Sequence, residues 1–580
     1  MGGGGPLTGD PRAGRTFRVR WLGRVAYRDA LALQRGLFVG SDDNLLLLEH
    51  PHTITRSRRT PRDHLLVDED EIRSVGGEVV ETDRGGDITY HGPGQLVGYP
   101  ILDVPGRRGG GMADTAAYVD ALEQILIDVL GELGLAAGRI PRFSGVWVDV
   151  AGARPRKIAA IGVRISRSRS MHGFALNVDP DLSWFDRIVP CGISDKGVTS
   201  LAAEGIDVTM ESVVDRVAHG VVTRFAGERA VDRADVSWRI RGRDLAPFTR
   251  GEGAGTPVGR DGVGHGFDAQ ADGTSVRLLG RLADAGATDH DPVRLRARKP
   301  DWMKVPLATG PEFRRVKAAM RELDLVTVCE EAGCPNISEC WNDGTATFMV
   351  LGERCTRACG FCLVDTRRPA PPDPGEPARV ATAVQRLGLR HAVITMVARD
   401  DLADGGASAV AATVEAVRAE NPHCRIETLI SDFQGNDAAL DVLFAAGPDI
   451  VNHNIETVAR LQRAVRPSAG YARSLSVLAR AKAAGFVIKS SLIVGMGETG
   501  DEIEQTLGDL AAVGTDIVTI GQYLRPTSHH LPVARWWEPA RFAEWRRVGE
   551  RAGIGHVESS PLTRSSYHAR EAAASVSGSS

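Results

Sequence analysis

Six of the eight cysteines lie between Cys329 and Cys362. Cys355, Cys359 and Cys362 follow the spacing CxxxCxxC, and Cys329, Cys334 and Cys340 follow CxxxxCxxxxxC. Three thiolates on one loop can hold three irons of a [4Fe–4S] cluster and leave the fourth iron open to a small molecule. The competing reading is structural zinc, which usually takes four ligands, commonly from paired cysteines. Six unrelated buried thiols in so short a stretch is the weakest reading, because free cysteine is scarce and normally scattered. Cys191 stands alone in Ile188-Val-Pro-Cys-Gly-Ile193. A nucleophilic thiolate there needs a nearby cation to lower its pKa, and Lys157, at the head of an apolar run, is the candidate. Cys424 belongs to neither trio and reads as an inert buried thiol.

These residues need frames to hold them. The chain has 580 residues, 42% of them hydrophobic and 25% charged, which excludes a wholly disordered chain, a collagen and a coiled coil. With 70 basic and 74 acidic side chains the formal charge is -4, so there is no global basic surface for nucleic acid. No apolar run approaches the roughly 18 residues of a membrane span, and residues 1–14 lack an apolar signal core. The expectation is a cytoplasmic protein with reduced thiols, with neither nucleic acid nor membrane as partner.

Residues 1–16 read as a disordered lead-in. Residues 17–241 carry strand-like runs at Asn44–His50, Gln95–Val104, Val146–Val150, Lys157–Ile165 and Gly173–Val178. Two amphipathic helices, Ala113–Leu133 and Ser212–Phe225, accompany them, with apolar residues at three- and four-residue steps. This predicts a mixed α+β domain. Residues 242–299 are rich in Gly, Asp and Arg and read as a flexible linker. Residues 300–569 alternate six strands with helices, which predicts parallel strands in a partial (βα)6 barrel with its site at the strand C-terminal ends. Residues 570–580 are expected to fray.

The two trios, together with Val397-Ala-Arg-Asp-Asp-Leu402, Asn452-His-Asn-Ile-Glu-Thr457, Gly495-Met-Gly-Glu-Thr499 and Arg564-Ser-Ser-Tyr-His568, resemble lipoyl synthases of the radical S-adenosylmethionine (SAM) superfamily. The resemblance covers Trp302 to Ala569. It implies that Cys355, Cys359 and Cys362 hold the [4Fe–4S] cluster that binds SAM. It implies that Cys329, Cys334, Cys340 and Ser566 hold a second, auxiliary [4Fe–4S] cluster that is sacrificed as sulfur source. The implied reaction inserts two sulfurs at C6 and C8 of a carrier-bound octanoyl chain, using two SAM. No acid–base side chain can remove such unactivated hydrogens at neutral pH, so a radical cofactor is a chemical necessity. An electron donor such as ferredoxin or flavodoxin is implied as well. Gly495 and Gly497 fit either close approach of SAM or a tight strand-to-helix turn. Arg399 and Asp400 fit either the active face or a solvated salt-bridge loop.

Residues Val19 to Ala226 are similar to lipoyl(octanoyl) transferases, which share the biotin/lipoate protein ligase fold. The motifs are Arg84-Gly-Gly-Asp-Ile-Thr-Tyr-His91-Gly-Pro-Gly-Gln95, Lys157-Ile-Ala-Ala-Ile-Gly-Val-Arg164, His172-Gly-Phe-Ala-Leu-Asn177 and Pro190-Cys-Gly-Ile193. This similarity implies that Cys191 takes octanoyl from octanoyl-acyl carrier protein as a thioester. Lys157 then helps pass it to a lysine of a lipoyl carrier domain, of a 2-oxoacid dehydrogenase complex or of glycine cleavage H protein. It places Arg84, Gly85, Gly86, Asp87, Ile88, Thr89, Tyr90 and His91 along the acyl tunnel, with Ala160, Ile161, Gly162, Gly173, Phe174 and Ala175. One departure is the basic run Arg56, Arg58, Arg59, a candidate contact for an acidic carrier protein. Competing readings are an ATP-dependent lipoate ligase fused to a radical SAM methylthiotransferase, and a zinc-binding scaffold without catalysis.

Overall fold

Four consecutive leucines, Leu45 to Leu48, are all buried, although a strand turns alternate side chains to opposite faces. Their sheet must therefore be covered on both sides. The computed structural model describes residues 15–106, 112–190, 196–238, 282–287, 293, 298–303, 310–327, 336–342 and 346–577. The chain divides into two units, Met1–Trp238 and Arg239–Ser580.

The strands of the first unit are β1 (Phe17–Arg24), β2 (Asp43–Glu49), β3 (Thr53–Ser57), β4 (Glu78–Thr82), β5 (Thr89–His91) and β6 (Gln95–Ile101). They continue with β7 (Ala137–Ile140), β8 (Phe143–Val148), β9 (Arg156–Ser166), β10 (Arg169–Asn177), β11 (Gly197–Val198) and β12 (Val231–Asp235). Its helices are α1 (Tyr27–Val39), α2 (Glu69–Ser74), α3 (Thr115–Glu132) and α4 (Met210–Phe225). The main sheet runs β12-β1-β2-β6-β10-β9-β8-β7, with β11 beside β9, and a small sheet runs β4-β3-β5. α3 starts where the Asp114 side chain accepts from the Ala117 N–H at 3.1 Å. Its Tyr118, Leu122, Ile125, Leu126, Val129 and Leu130 pack with Val213, Val214, Val217 and Val221 of α4 under Leu45 and Leu47. Each such side chain contributes roughly 1.5–3 kcal/mol by burial. α1 packs on β6 and β10.

The second unit holds β13 (Val326–Thr327), β14 (Ala346–Val350), β15 (His391–Met396), β16 (Arg425–Leu429), β17 (Ile450–Asn452), β18 (Val487–Val494), β19 (Ile517–Gln522) and β20 (His556–Ser559). The sheet follows that order. β14 to β20 are parallel throughout, and β13 joins the edge antiparallel. Its helices are α5 (Pro311–Glu322), α6 (Ile337–Asn342), α7 (Glu376–Leu387), α8 (Ala407–Glu420), α9 (Asp437–Ala445), α10 (Gln462–Val465), α11 (Tyr471–Ala483), α12 (Gly500–Ala512), α13 (Pro539–Arg551) and α14 (Ala569–Ser577). Strand-then-helix units put every crossover on the outside and every strand C-terminus at one end. The expected six strands are present, and β20 extends the open barrel by a further parallel strand.

Two expected boundaries need correction. Residues 570–580 were expected to fray, yet α14 runs to Ser577 and buries Ala572 and Ala573, because its small residues pack against β19 and β20. The expected linker 242–299 is shorter at its C-terminal side. Leu282 and Ala285 are buried, the Arg460 guanidinium donates to the Ala285 carbonyl, and Val293 donates to the Val533 carbonyl at 2.8 Å. The lead-in up to residue 14 and residues 242–281 lie outside the described residues.

Candidate active sites

In the first unit a cavity of about 180 Å³ lies along β9 and β10. Lys157, Ala160, Ile161, Gly162, Gly173, Phe174 and Ala175 line it, as do Arg84, Gly86, Asp87, Thr89 and His91 from the β4–β5 connection and β5. The glycines mark close backbone approach: a Cβ on Gly162 would stand 2.8 Å from the Gly85 carbonyl oxygen, and one on Gly173 2.1 Å from that of Gly98. Arg84 is buried and donates to Thr55 O at 2.7 Å, which fixes its guanidinium at the cavity wall. The Lys157 ammonium sits over the Trp147 ring, 4.8 Å from its centre. Val198 pairs with Lys157 in register. Cys191 lies outside the described residues.

Three expected tunnel residues face elsewhere. Ile88 and Tyr90 point into a satellite core with Trp184 and Phe185, because β5 alternates and Thr89 and His91 take the cavity side. Gly85 does not line the cavity either; its N–H donates to the Val163 carbonyl at 3.1 Å. Tyr27, Tyr99, Phe143 and His172 do line it. His172 opens a quoted motif, but its partner Asp83 is 89 residues away, a pairing no local pattern announces. The basic run is partly spoken for: Arg56 faces Glu69 at 3.1 Å and Arg58 faces Glu81 at 3.7 Å.

In the second unit a cavity of about 570 Å³ opens at the strand C-terminal ends. Cys355, Cys359 and Cys362, on the loop after β14, line it together with Ser566. The Cys355 sulfur accepts from the backbone N–H groups of Arg357 and Ala398 at 3.4 and 3.3 Å. Burial pushes the Cys359 thiol up to about 11 and raises Cys355 and Cys362 too. Arg357, inside the motif, grips Asp400 with two 2.7 Å bonds and Asp432 with one of 2.6 Å, which ties the cysteine loop to the ends of β15 and β16. Sequence reasoning missed Arg357 and Asp432, which are 75 positions apart.

Beyond β17, Asn454 Oδ1 and Glu456 Oε2 are buried without a hydrogen-bond partner, and both residues line the cavity. Burial raises the Glu456 carboxyl, with Arg466 opposing. Two orphaned acceptors beside three cysteines fit a cationic cofactor group over an iron–sulfur cluster. Gly495 and Gly497 serve a turn instead: their φ angles are +106° and +118°, and neither lines the cavity. Glu498 accepts from the N–H groups of Gly495 and Met496, and Thr499 caps α12. Arg399 is 1% exposed and paired with Asp401, not solvated. His453 is a satisfied core histidine, bonded to Ile430 O at 3.0 Å and to Ser474 Oγ at 3.1 Å. Cys424 is buried away from both cavities.

Cys340 sits on α6, while Cys329 and Cys334 lie outside the described residues. The Ser566 segment docks on α6: Asn336 Nδ2 donates to Leu562 O at 2.7 Å, and Tyr567 OH donates to Glu339 at 3.0 Å. Cys340 and Ser566 thus belong to one docked pair of segments.

A parallel open barrel with a CxxxCxxC loop at its mouth defines the class, and residues 349–510 match the family model of the radical SAM superfamily. Residues 286–334 match the N-terminal domain of lipoyl synthase. The lipoyl synthase of Rubrobacter xylanophilus is 54% identical over 293 residues, 50% of this chain and 91% of that protein. That of Mycobacterium tuberculosis is 52% identical over 272 residues, 47% of this chain and 88% of that protein. The chain belongs, through its second unit, to the lipoyl synthase family. Residues 26–222 match the lipoyl protein ligase A/B catalytic domain, so the first unit carries a lipoate-ligase-like α/β fold. A bipartite lipoate protein ligase from Thermoplasma acidophilum superposes with a TM-score of 0.33 at 18% identity, over 38% of this chain and 88% of that one. Among the described residues no helix is long and apolar enough to cross a membrane.

Proposed function

We propose that the chain performs two consecutive steps of lipoate assembly on one carrier protein. The first unit moves octanoyl from acyl carrier protein to a carrier-domain lysine. The second replaces two C–H bonds of that chain with C–S bonds. The observation that supports this pairing is the presence of both cavities in one chain: a narrow one walled by glycine backbone beside Lys157, and a wider one lined by three thiols.

In the first step Cys191 attacks the thioester carbon, and the carrier thiol leaves with a proton. The target lysine amine then displaces Cys191, forming the amide and restoring the thiol. Thioester exchange is close to isoenergetic, and amide formation from a thioester runs downhill. Lys157 stabilises the thiolate and takes the amine proton. For the second step, SAM and a [4Fe–4S] cluster, when bound, would supply the radical chemistry that breaking unactivated C–H bonds at C6 and C8 requires. Cys355, Cys359 and Cys362 would hold that cluster, and the unpartnered Asn454 Oδ1 and Glu456 Oε2 would be available to accept from a cationic group of SAM. Arg357 keeps the loop registered against Asp400 and Asp432. Cys329, Cys334, Cys340 and Ser566 hold the auxiliary cluster, the source of both sulfurs.

The test is an anaerobic assay of the full chain with octanoyl-acyl carrier protein, an apo lipoyl domain or H protein, SAM and reduced ferredoxin or flavodoxin. Mass spectrometry should show octanoyl, then lipoyl, on the carrier lysine without ATP. Purified protein should hold about eight iron per chain, as two four-iron clusters demand. A requirement for ATP would overturn the transferase step, and iron-free protein after reconstitution would overturn the second.

A further inference from the structure

We propose that His172 is the specificity-determining floor of the acyl cavity, the group that stops an acyl chain at about octanoyl length. This deepens the transferase reading of the first unit and rests on it. His172 is 1% exposed and lines the cavity. Its φ is +59°, in the left-handed region that a non-glycine residue rarely occupies. The backbone is pinned there, since the His172 N–H donates to Gln34 Oε1 at 2.8 Å. The ring is pinned as well. Nε2 lies 2.9 Å from Asp83 Oδ1, and a carboxylate only accepts, so Nε2 carries the hydrogen. Asp83 is further held by Arg164. Nδ1 is thereby left with a lone pair, and it has no hydrogen-bond partner.

Register places this imidazole at the end of the cavity opposite Lys157. His172 pairs across the sheet with Val163, Gly173 with Gly162, and Ala175 with Ala160. The Lys157 side chain reaches the level of Gly145, where its Cε lies 3.4 Å from the position of a Cβ, and the next residue, Val146, pairs with Ala159. From Ala160 to Val163 is three residues, about 10 Å at the rise of a strand. An extended octanoyl chain spans seven carbon–carbon bonds, about 9 Å at the zigzag pitch of a polymer backbone. With its carbonyl at Lys157, the chain passes the glycines and ends just short of His172. The glycine walls are backbone and cannot yield sideways. A longer chain must press methylenes onto an unpaired buried acceptor, which penalises it.

The experiment measures kcat/KM of the full chain with octanoyl-, decanoyl- and dodecanoyl-acyl carrier protein, reading acyl transfer by mass. His172→Ala removes the floor. His172→Asn shortens it with a residue that tolerates positive φ, and reads the same quantity if the alanine variant fails to fold. The dodecanoyl-to-octanoyl ratio should rise at least about tenfold in either variant, the discrimination a methylene or two carries in an apolar pocket. A purely structural histidine would lower all three substrates together, and an unchanged ratio overturns the proposal while leaving the transferase reading intact. Failure of the unaltered chain to accept octanoyl on Cys191 would instead overturn the transferase reading and this floor with it.

Discussion

The two cavities are built by opposite means. In the first unit the cavity runs along the face of an antiparallel sheet, and Gly86, Gly162 and Gly173 bring main chain into walls otherwise made by side chains such as Tyr27, His91, Tyr99 and Phe174. In the second it lies at the C-terminal ends of parallel strands, and its walls combine strand residues such as Met349, Thr395, Ser491 and Gln522 with connecting segments such as Cys355–Val364 and Thr563–Ser566. A sheet face gives a straight, rigid slot, suited to measuring an alkyl chain. Strand ends give independent loops, so ligands from distant positions can converge on one cluster. The same difference predicts how each site fails. A sheet-face site fails through crowding, and a strand-end site through loss of a ligand or of the tie that holds a loop.

The largest expected effect separates the chemistries outright. Cys359→Ala should lower sulfur insertion by at least about a thousandfold, as loss of a reacting unit does, and leave octanoyl transfer unchanged. Cys191→Ala should do the reverse, blocking transfer while a pre-octanoylated carrier is still converted. The mass of the carrier product distinguishes the two. Loss of both activities in either variant would break the picture of two autonomous sites.

Next comes the tie itself. Asp432 has a fully buried side chain, and Arg357 holds its carboxyl down to about 2 against the upward push of burial. Arg357→Met strands that charge, and breaking a buried pair in this way costs about 3–5 kcal/mol. The second unit should melt earlier and hold less iron, while the first unit's transition stays in place.

A smaller effect tests the first unit with pH. His50 is wholly buried; its Nδ1 donates to Val25 O at 2.7 Å and its Nε2 accepts from Tyr99 at 2.7 Å. Burial lowers its pKa to about 4 from 6.5. Above pH 6.5 both folded and unfolded chains keep it neutral. As pH falls from about 6.5 to about 4 the unfolded chain gains a proton that the folded one refuses, and stability drops by up to about 3 kcal/mol. His453 and His530 place a drop of the same sign in the second unit. Calorimetry of His50→Asn should flatten the acid slope of the first transition only.

The contrast also explains what the sequence made legible. The CxxxCxxC loop was readable because its three cysteines are near neighbours in the chain, and the barrel strands because fully buried parallel strands are continuous apolar runs. β18 and β19 fall at the residues expected. The first unit's cavity follows the quoted motifs but not side chain by side chain. Ile88 and Tyr90 were assigned to it with their neighbours, although strand alternation turns them away. β1 escaped notice because Arg18 and Arg20 make Phe17–Arg24 look polar. Both arginines are buried, against Asp42 and Asp232, partners that only the fold brings near. Arg357 with Asp432 and His172 with Asp83 are hidden for the same reason.

The smallest effect probes the seam where the C-terminal segment meets α6. Tyr567 OH donates to Glu339 at 3.0 Å, and Tyr567 stacks on His568 with ring centres 3.8 Å apart. Burial and the Glu339 carboxylate keep the phenol protonated, so the bond persists across neutral pH. Removing it with Tyr567→Phe keeps the stacked ring and costs about 1 kcal/mol, the net worth of one partly exposed hydrogen bond. Global melting should therefore barely move. An auxiliary cluster held as proposed, with Ser566 among its ligands, should feel more, because Ser566 is the adjacent residue and a serine oxygen is a weak iron ligand. In Tyr567→Phe, chelator should strip iron faster from one cluster, with the other four irons unaffected. Uniform iron loss from both clusters would show that the hydroxyl supports the fold at large, not the docking of Ser566 beside Cys340.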